Sequence, residues 1–144
     1  MNLTDHFTFE EMVFSSTALR LGIDNTPPPV IAFRLKECAI GLEQVRSLLG
    51  HPMRIDSGYR CPALNKAVGG APNSSHMDGY AADFVCPGFG KPIDIVHAIQ
   101  ASSIGFDKLI QEGNWVHISF DPRMRSQVYT AHFSQAGTTY TVGA

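Results

Sequence analysis

The chain has 144 residues, of which 44% are hydrophobic and 17% are charged, and its formal net charge is −2. This size and composition are typical of one globular domain with one core, so we predict that residues 1–144 form a single domain. The weakly acidic charge argues against nucleic acid as a partner, and no apolar run approaches the roughly 20 residues that cross a bilayer. The N-terminal segment lacks the apolar run of a signal peptide. We therefore expect a protein that is made in the cytoplasm and is not inserted into a membrane.

Two helices are predicted in the N-terminal third of the chain. Thr8 and Glu11 fit a capping box, so a short helix begins near Phe9. After three consecutive prolines, apolar residues recur at alternating spacings of three and four, which predicts a long amphipathic helix from Pro29 to Leu48. Gly50 follows as a typical C-terminal stop.

The rest of the chain mixes short strands and helices. In chain order the predicted elements are a strand at Met53–Asp56, a short helix from Pro62, a loop at Ala71–Asp78, a strand at Ala81–Val85, a helix from Pro92 to near Ser103, strands at Lys108–Glu112, Trp115–Phe120 and Val128–Phe133, and an edge strand beyond Gly137. These elements do not alternate in a βαβ rhythm. The predicted fold is therefore a small α+β domain with a mainly antiparallel sheet and flanking helices.

The predicted hairpin around residues 113–114 has a geometry that can be worked out from its turn. A two-residue turn of Gly and Asn pairs Glu112 with Trp115 and Ile110 with His117. Glu112, Trp115 and His117 then point to one side, while the alternate residues Val116, Ile118 and Phe120 point to the core. Glu112 and His117 become diagonal neighbours, about 5–8 Å apart. That distance suits a carboxylate that acts on a water molecule bound to a metal held by His117.

A carboxylate in the middle of the apolar strand Ala81–Val85 points to the same site. Burying Asp83 is costly unless a cation, an arginine or a cluster of backbone N–H groups neutralises it. His76 lies seven positions earlier, a spacing that suits a loop folding back onto a strand. Two histidines and one carboxylate are a common catalytic zinc set with one position left for water. We predict one Zn²⁺ ion on the sheet face, and a metal-free domain with an Arg60–Asp83 ion pair is the alternative.

Three motifs connect the candidate residues: Ser74-x-His76-x-x-Gly79-x-Ala81-x-Asp83, Trp115-x-His117, and Ser57-Gly58-Tyr59-Arg60-x-Pro62-x-Leu64-Asn65. They resemble the motifs of the zinc D-Ala-D-Ala carboxypeptidase family. This family also contains L-alanyl-D-glutamate endopeptidases of phages and bacteria, and it acts on peptidoglycan peptides. The resemblance extends over roughly Phe7 to Phe133 and preserves the order of the motifs.

The resemblance implies a role for each candidate residue. These roles are zinc ligand for His76, Asp83 and His117, catalytic acid/base for Glu112, binding of a substrate carboxylate or of the oxyanion for Arg60, and substrate contact for Ser74 and Trp115. One departure concerns the base, since several family members have a histidine at the position of Glu112 or a glutamate closer to the last ligand. The implied mechanism is direct hydrolysis, without a covalent enzyme intermediate.

The function implied is zinc-dependent hydrolysis of a peptide bond in bacterial peptidoglycan, of the D,D-carboxypeptidase or endopeptidase type. The compact chain, with no apparent wall-binding repeat, resembles a phage or prophage lysis enzyme. Such an enzyme acts on the cell wall after release. The alternatives are L-alanyl-D-glutamate endopeptidase specificity and a non-catalytic, zinc-containing module that recognises the cell wall. The expected partners are peptidoglycan stem peptides, and the expected oligomeric state is a monomer.

Overall fold

A computed structural model describes residues 1–144 and has a six-stranded mixed sheet flanked by helices. The elements are α1 (Phe9–Val13), α2 (Ser16–Leu21), α3 (Pro29–Leu49), β1 (Arg54–Ser57), α4 (Pro62–Ala67), β2 (Ala81–Val85), α5 (Pro92–Gln100), β3 (Lys108–Gln111), β4 (Val116–Ser119), β5 (Gln127–Ser134) and β6 (Gly137–Val142). The chain therefore forms a small α+β domain, as the sequence predicts. None of the helices has the length and apolar character needed to cross a membrane.

Helix α3 is the main packing partner of the sheet. Its apolar stripe is fully buried, with Leu35, Leu42 and Val45 at 0% exposure. Each such side chain contributes about 1.5–3 kcal/mol when it leaves water. Proline at its first position and Gly50 with φ +69° at its C-cap define its two ends, so the predicted bounds are confirmed to within one residue.

The shorter helices agree less well with the sequence patterns. The capping box of α1 is present in full, because the Thr8 hydroxyl accepts from the Glu11 N–H and the Glu11 carboxylate accepts from the Thr8 N–H. Helix α2 is absent from the predicted elements, because its six residues bury only Ala18 and so have no periodic apolar stripe. Helix α5 ends three residues before the predicted end near Ser103, because the Ser102 hydroxyl donates to the Ile99 carbonyl at 2.6 Å.

The strands lie in the order β1-β2-β4-β3-β5-β6. All neighbouring pairs are antiparallel except β3 and β5, so the prediction of a mainly antiparallel sheet is confirmed with one parallel pair added. The parallel pair arises because β2 already occupies the free side of β4. The chain therefore leaves β4, passes the start of β3 and enters the sheet on the far side of β3.

The two faces of the sheet differ in what covers them. One face is buried against the helices and contributes Phe84, Leu109, Val116 and Ile118 to the hydrophobic core. Side chains alternate along each strand, so the neighbouring residues in sequence point to the other face. That second face carries the candidate functional residues.

Candidate metal centre

Two histidines and one aspartate come together on the open face of the sheet. Asp83 on β2 pairs directly with His117 on β4, so both side chains lie on the same face. The Asp83 Oδ1 atom is 3.0 Å from His117 Nδ1 and 3.2 Å from His76 Nε2. His76 comes from the loop before β2, and all three residues are buried.

The hydrogen bonds of His76 require a cation in this cluster. Its Nδ1 atom lies 2.7 Å from the Gly58 carbonyl oxygen, which can only accept, so Nδ1 carries the hydrogen. In a neutral imidazole Nε2 then presents a lone pair to Asp83, and two acceptors face each other. A proton or a metal ion between them resolves the conflict.

The distances fit zinc. Tetrahedral ligands with bonds of 2.0–2.1 Å lie about 3.3 Å apart, close to both separations around the Asp83 carboxylate oxygen. The three ligand atoms are within 4.8 Å of one another, and two imidazoles with one carboxylate leave a fourth position open. His76, Asp83 and His117 can therefore hold one metal ion.

Asp83 is the electrostatic centre of the cluster. Burial raises its pKa, but the charges of His76 and His117 and their hydrogen bonds outweigh burial and hold the pKa well below its usual range. Its second oxygen, Oδ2, accepts a hydrogen bond of 3.3 Å from Arg60 Nη2. The Arg60–Asp83 ion pair of the alternative interpretation is thus present together with the histidine cluster, because the two interactions use different carboxylate oxygens.

Arg60 is held by residues to which the sequence analysis gave no role. Its Nε donates to the Ser57 hydroxyl at 3.1 Å, and its Nη1 donates to the Asn65 side chain at 3.1 Å. Asn65 is buried and also donates to the Ala71 carbonyl. Together with the bond to Asp83, these contacts use three of the five guanidinium N–H groups of Arg60. Two N–H groups remain for a bound molecule.

A second asparagine shapes the same loop. Asn25 donates to the carbonyls of Val13 and Tyr59 and accepts from the backbone N–H of Cys61 at 2.8 Å. It thereby fixes the backbone on both sides of Arg60. In the sequence, an asparagine before a proline-rich segment indicates a turn. No local pattern predicts that the Asn25 side chain is buried and bonded to the backbone around Arg60.

The hairpin that carries Glu112 has the predicted register. Ile110 pairs with His117, and the Glu112 N–H donates to the Trp115 carbonyl at 3.0 Å. The φ of +81° at Gly113 explains why the turn needs glycine. Burial and the charge of Asp83 raise the pKa of Glu112, and the charges of His117 and Arg60 partly oppose them. A carboxylate with a raised pKa beside a metal site is suited to general acid–base chemistry.

The predicted site residues share one cleft of about 540 Å³. It is lined by all seven of them, namely Arg60, Ser74, His76, Asp83, Glu112, Trp115 and His117. The Ser74 hydroxyl accepts from the His76 N–H at 3.2 Å, so this serine also supports the turn that carries the histidine. Trp115 is half-buried, and its ring lies 6.0 Å from that of Phe133.

Strands β5 and β6, which we call the C-terminal hairpin, complete the cleft with residues that the sequence analysis did not select. They contribute Tyr129, Phe133, Thr138 and Tyr140. These residues could be found only after the pairing of β5 with β3 was known, because that pairing brings the hairpin beside the site.

One cleft holds a His–Asp–His cluster with an open coordination position, a half-buried carboxylate and an arginine. Together these groups define a mononuclear metallohydrolase site. The sequence profile of the Peptidase M15 family matches residues 5–119, and the chain belongs to this family of zinc metallopeptidases. The match includes every predicted site residue. It ends with β4, so the C-terminal hairpin lies beyond it. No curated protein matches the chain significantly.

Proposed function

We propose that the protein is a zinc peptidase that hydrolyses a peptide bond in the stem peptides of bacterial peptidoglycan, with D,D-carboxypeptidase or endopeptidase specificity. The observation that carries this proposal is the position of Glu112 beside the His76–Asp83–His117 cluster, inside one cleft of a Peptidase M15 member. A purely structural zinc site is closed and needs no carboxylate beside an open position.

Each residue of the cleft has a task in this reaction. A zinc ion held by His76, Asp83 and His117 would supply Lewis acidity to the attacking water and the scissile carbonyl. Glu112 takes a proton from the water and returns it to the leaving amine. The free N–H groups of Arg60 bind a substrate carboxylate or the negative charge that develops on the carbonyl oxygen.

The test is digestion of purified peptidoglycan by the zinc-loaded protein, with the products identified by mass spectrometry. In Glu112→Gln the metal ligands are intact, so we expect stoichiometric zinc and a rate that is about 10²–10⁴-fold lower, the usual contribution of a general acid–base group. Glu37→Gln, on the exposed side of α3, is the matched control and should cleave like the wild-type protein.

The masses of the fragments identify the bond, and they separate D,D cleavage from cleavage between L-Ala and D-Glu. Unchanged cleavage by Glu112→Gln would remove Glu112 from the role of base. Wall binding by a zinc-loaded protein that releases no fragments would contradict the enzyme and favour a recognition module.

We further propose that the enzyme is a phage or prophage lysis enzyme that acts on the wall after release from the cytoplasm. Its compact domain, with one sheet and one core, supports this proposal. Bacteria that express the protein should lyse only when a pore-forming protein is co-expressed. Lysis without the pore protein would contradict a requirement for release.

A further inference from the structure

The C-terminal hairpin carries chemistry that neither the family match nor the proposed mechanism assigns. Two of its aromatic residues, Phe133 and Tyr140, are more than half exposed, at 55% and 53%. Yet both line the same cleft as Glu112 and the metal cluster. Large aromatic side chains exposed into a cleft are candidates for contact with a bound molecule.

The strand register places Tyr140 opposite Glu112. Gln111 pairs with Thr130, and continuing this parallel register by one residue places Glu112 beside Ala131. Ala131 in turn pairs with Tyr140 on β6. Glu112, Ala131 and Tyr140 therefore form one row across three strands and point to the same face.

The small side chain in the middle of this row allows Tyr140 to reach inwards. Glu112 and Tyr140 are separated by two strand spacings, about 10 Å. Ala131 is only 7% exposed although it has the smallest side chain of this row, so its larger neighbours shield it from solvent. Because Ala131 carries only a methyl group, its position leaves room for the ring of Tyr140 to extend towards Glu112.

The phenol is a neutral donor in this environment. Burial and the negative charges of Glu112 and Asp83 raise the pKa of Tyr140. Arg60, at the other end of the cleft, is the group that favours a substrate carboxylate. An uncharged carbonyl oxygen is the acceptor that suits Tyr140 best.

We propose that Tyr140 is a substrate-binding residue whose hydroxyl donates a hydrogen bond to a main-chain carbonyl of the peptide substrate, at the end of the cleft opposite Arg60. Arg60 reaches Asp83 on β2, and Tyr140 lies on β6. The four strand spacings between β2 and β6 amount to about 19 Å, and the two side chains reach inwards from the ends of this span. An extended peptide of up to about five residues therefore reaches both contacts, with its scissile bond near His117. The inference rests on the proposed peptidase function.

The test compares Tyr140→Phe with wild-type protein on soluble stem-peptide fragments prepared from peptidoglycan. This variant retains the ring, so the fold is preserved. We expect KM to rise about 3- to 10-fold with little change in kcat, since one hydrogen bond to an uncharged group is lost. In the inactive Glu112→Gln background, calorimetry should give the same factor in Kd. Thr139→Val, which loses a hydroxyl on the opposite face of β6, should change neither value.

The outcomes separate the two proposals. If wild-type protein cleaves the fragments and Tyr140→Phe equals it in KM and Kd, the role of Tyr140 is wrong and the peptidase function stands. A fall in kcat without a change in KM or Kd also overturns the binding role. If wild-type protein neither binds nor cleaves the fragments, both proposals fall.

Discussion

At the scale of single residues, Asp83 connects the metal cluster to the arginine. Its Oδ1 atom faces both histidines, and its Oδ2 atom accepts from Arg60. The position of the guanidinium is therefore coupled to the position of the metal ligand. A substrate carboxylate bound by the free N–H groups of Arg60 would lie next to the metal, as hydrolysis near a peptide terminus requires.

Asn65 provides a test of this coupling, because it positions Arg60 without lining the cleft. In Asn65→Ala the guanidinium loses one acceptor and gains freedom to move. We expect kcat/KM on stem-peptide fragments to fall about 10-fold through a higher KM, since an ordered donor to the substrate is lost. The zinc content should stay stoichiometric because no metal ligand changes.

Asn2→Ala, on the exposed N-terminal segment, is the control for Asn65→Ala and should behave as wild type. Steady-state kinetics and metal analysis of the same preparations check both expectations. A kcat/KM within twofold of wild type would show that Asn65 does not position Arg60.

At the scale of elements, the connection between β4 and β5 decides which residues border the cleft. This connection passes the start of β3 and is fixed there by Asp107, which is 0% exposed. The Asp107 carboxylate accepts three hydrogen bonds from Arg125, at 3.0 Å from the backbone N–H and at 2.8 and 2.9 Å from the guanidinium. The residues on either side, Met124 and Ser126, have positive φ values of 44° and 56°. Backbone strain of this kind persists only where the surrounding contacts impose it.

The pH dependence of stability tests this connection. Hydrogen bonds from Arg125 hold the pKa of Asp107 below its usual range. A carboxyl group whose pKa is lower in the folded than in the unfolded protein stabilises the fold. This stabilisation is complete above the pKa of the unfolded state, about 3.9, and is lost as the pH falls through the pKa of the folded state. We expect Asp107→Asn to lower the free energy of unfolding at pH 7 by about 1–3 kcal/mol and to flatten its decline below about pH 4.

Urea denaturation between pH 7 and pH 3 measures this effect, and Asp5→Asn at an exposed position is the control. If Asp107→Asn and the wild-type protein lose stability in parallel down to pH 3, the Asp107–Arg125 interaction does not contribute.

Local patterns in the sequence account for the elements that depend on neighbouring residues. The stripe of α3, the bounds of β2 and the register of the β3–β4 hairpin follow from spacing and turn chemistry, and all three are confirmed. The face shared by Glu112, Trp115 and His117 follows from that register, so most of the candidate site could be predicted.

The remainder depends on contacts between distant parts of the chain. The parallel pairing of β5 with β3 has no local signature. Asn25 bonds to Cys61, 36 positions away, and Tyr140 enters the cleft through strands that are not adjacent in sequence. Asn65 is only five positions from Arg60, but the bond between them follows no periodic pattern. Helix α2 was missed because it buries a single residue. The strand pairing and the long-range hydrogen bonds appear only when the chain is folded.

At the scale of the whole molecule, the candidate metal centre joins three separate segments of the chain. His76 comes from the loop before β2, Asp83 from β2 and His117 from β4. A metal ion that binds only the folded arrangement stabilises it by mass action. The free energy of metal binding is therefore also free energy of folding for the sheet face and for the loop that carries His76.

Removal of the metal should lower the melting temperature. With free zinc at 100 times its Kd the stabilisation is about 2.7 kcal/mol, which corresponds to about 5–10 °C for a chain of this size. Differential scanning calorimetry of zinc-loaded and chelator-treated protein measures the shift.

In His76→Ala, which loses a ligand, we expect metal analysis to find less than stoichiometric zinc and the melting temperature to be the same with and without chelator. His97→Ala, on the exposed side of α5, should retain the wild-type response. Equal melting temperatures for the zinc-loaded and chelated wild-type protein would mean that the cluster of His76, Asp83 and His117 binds no metal, and the buried acceptors would then have to share a proton.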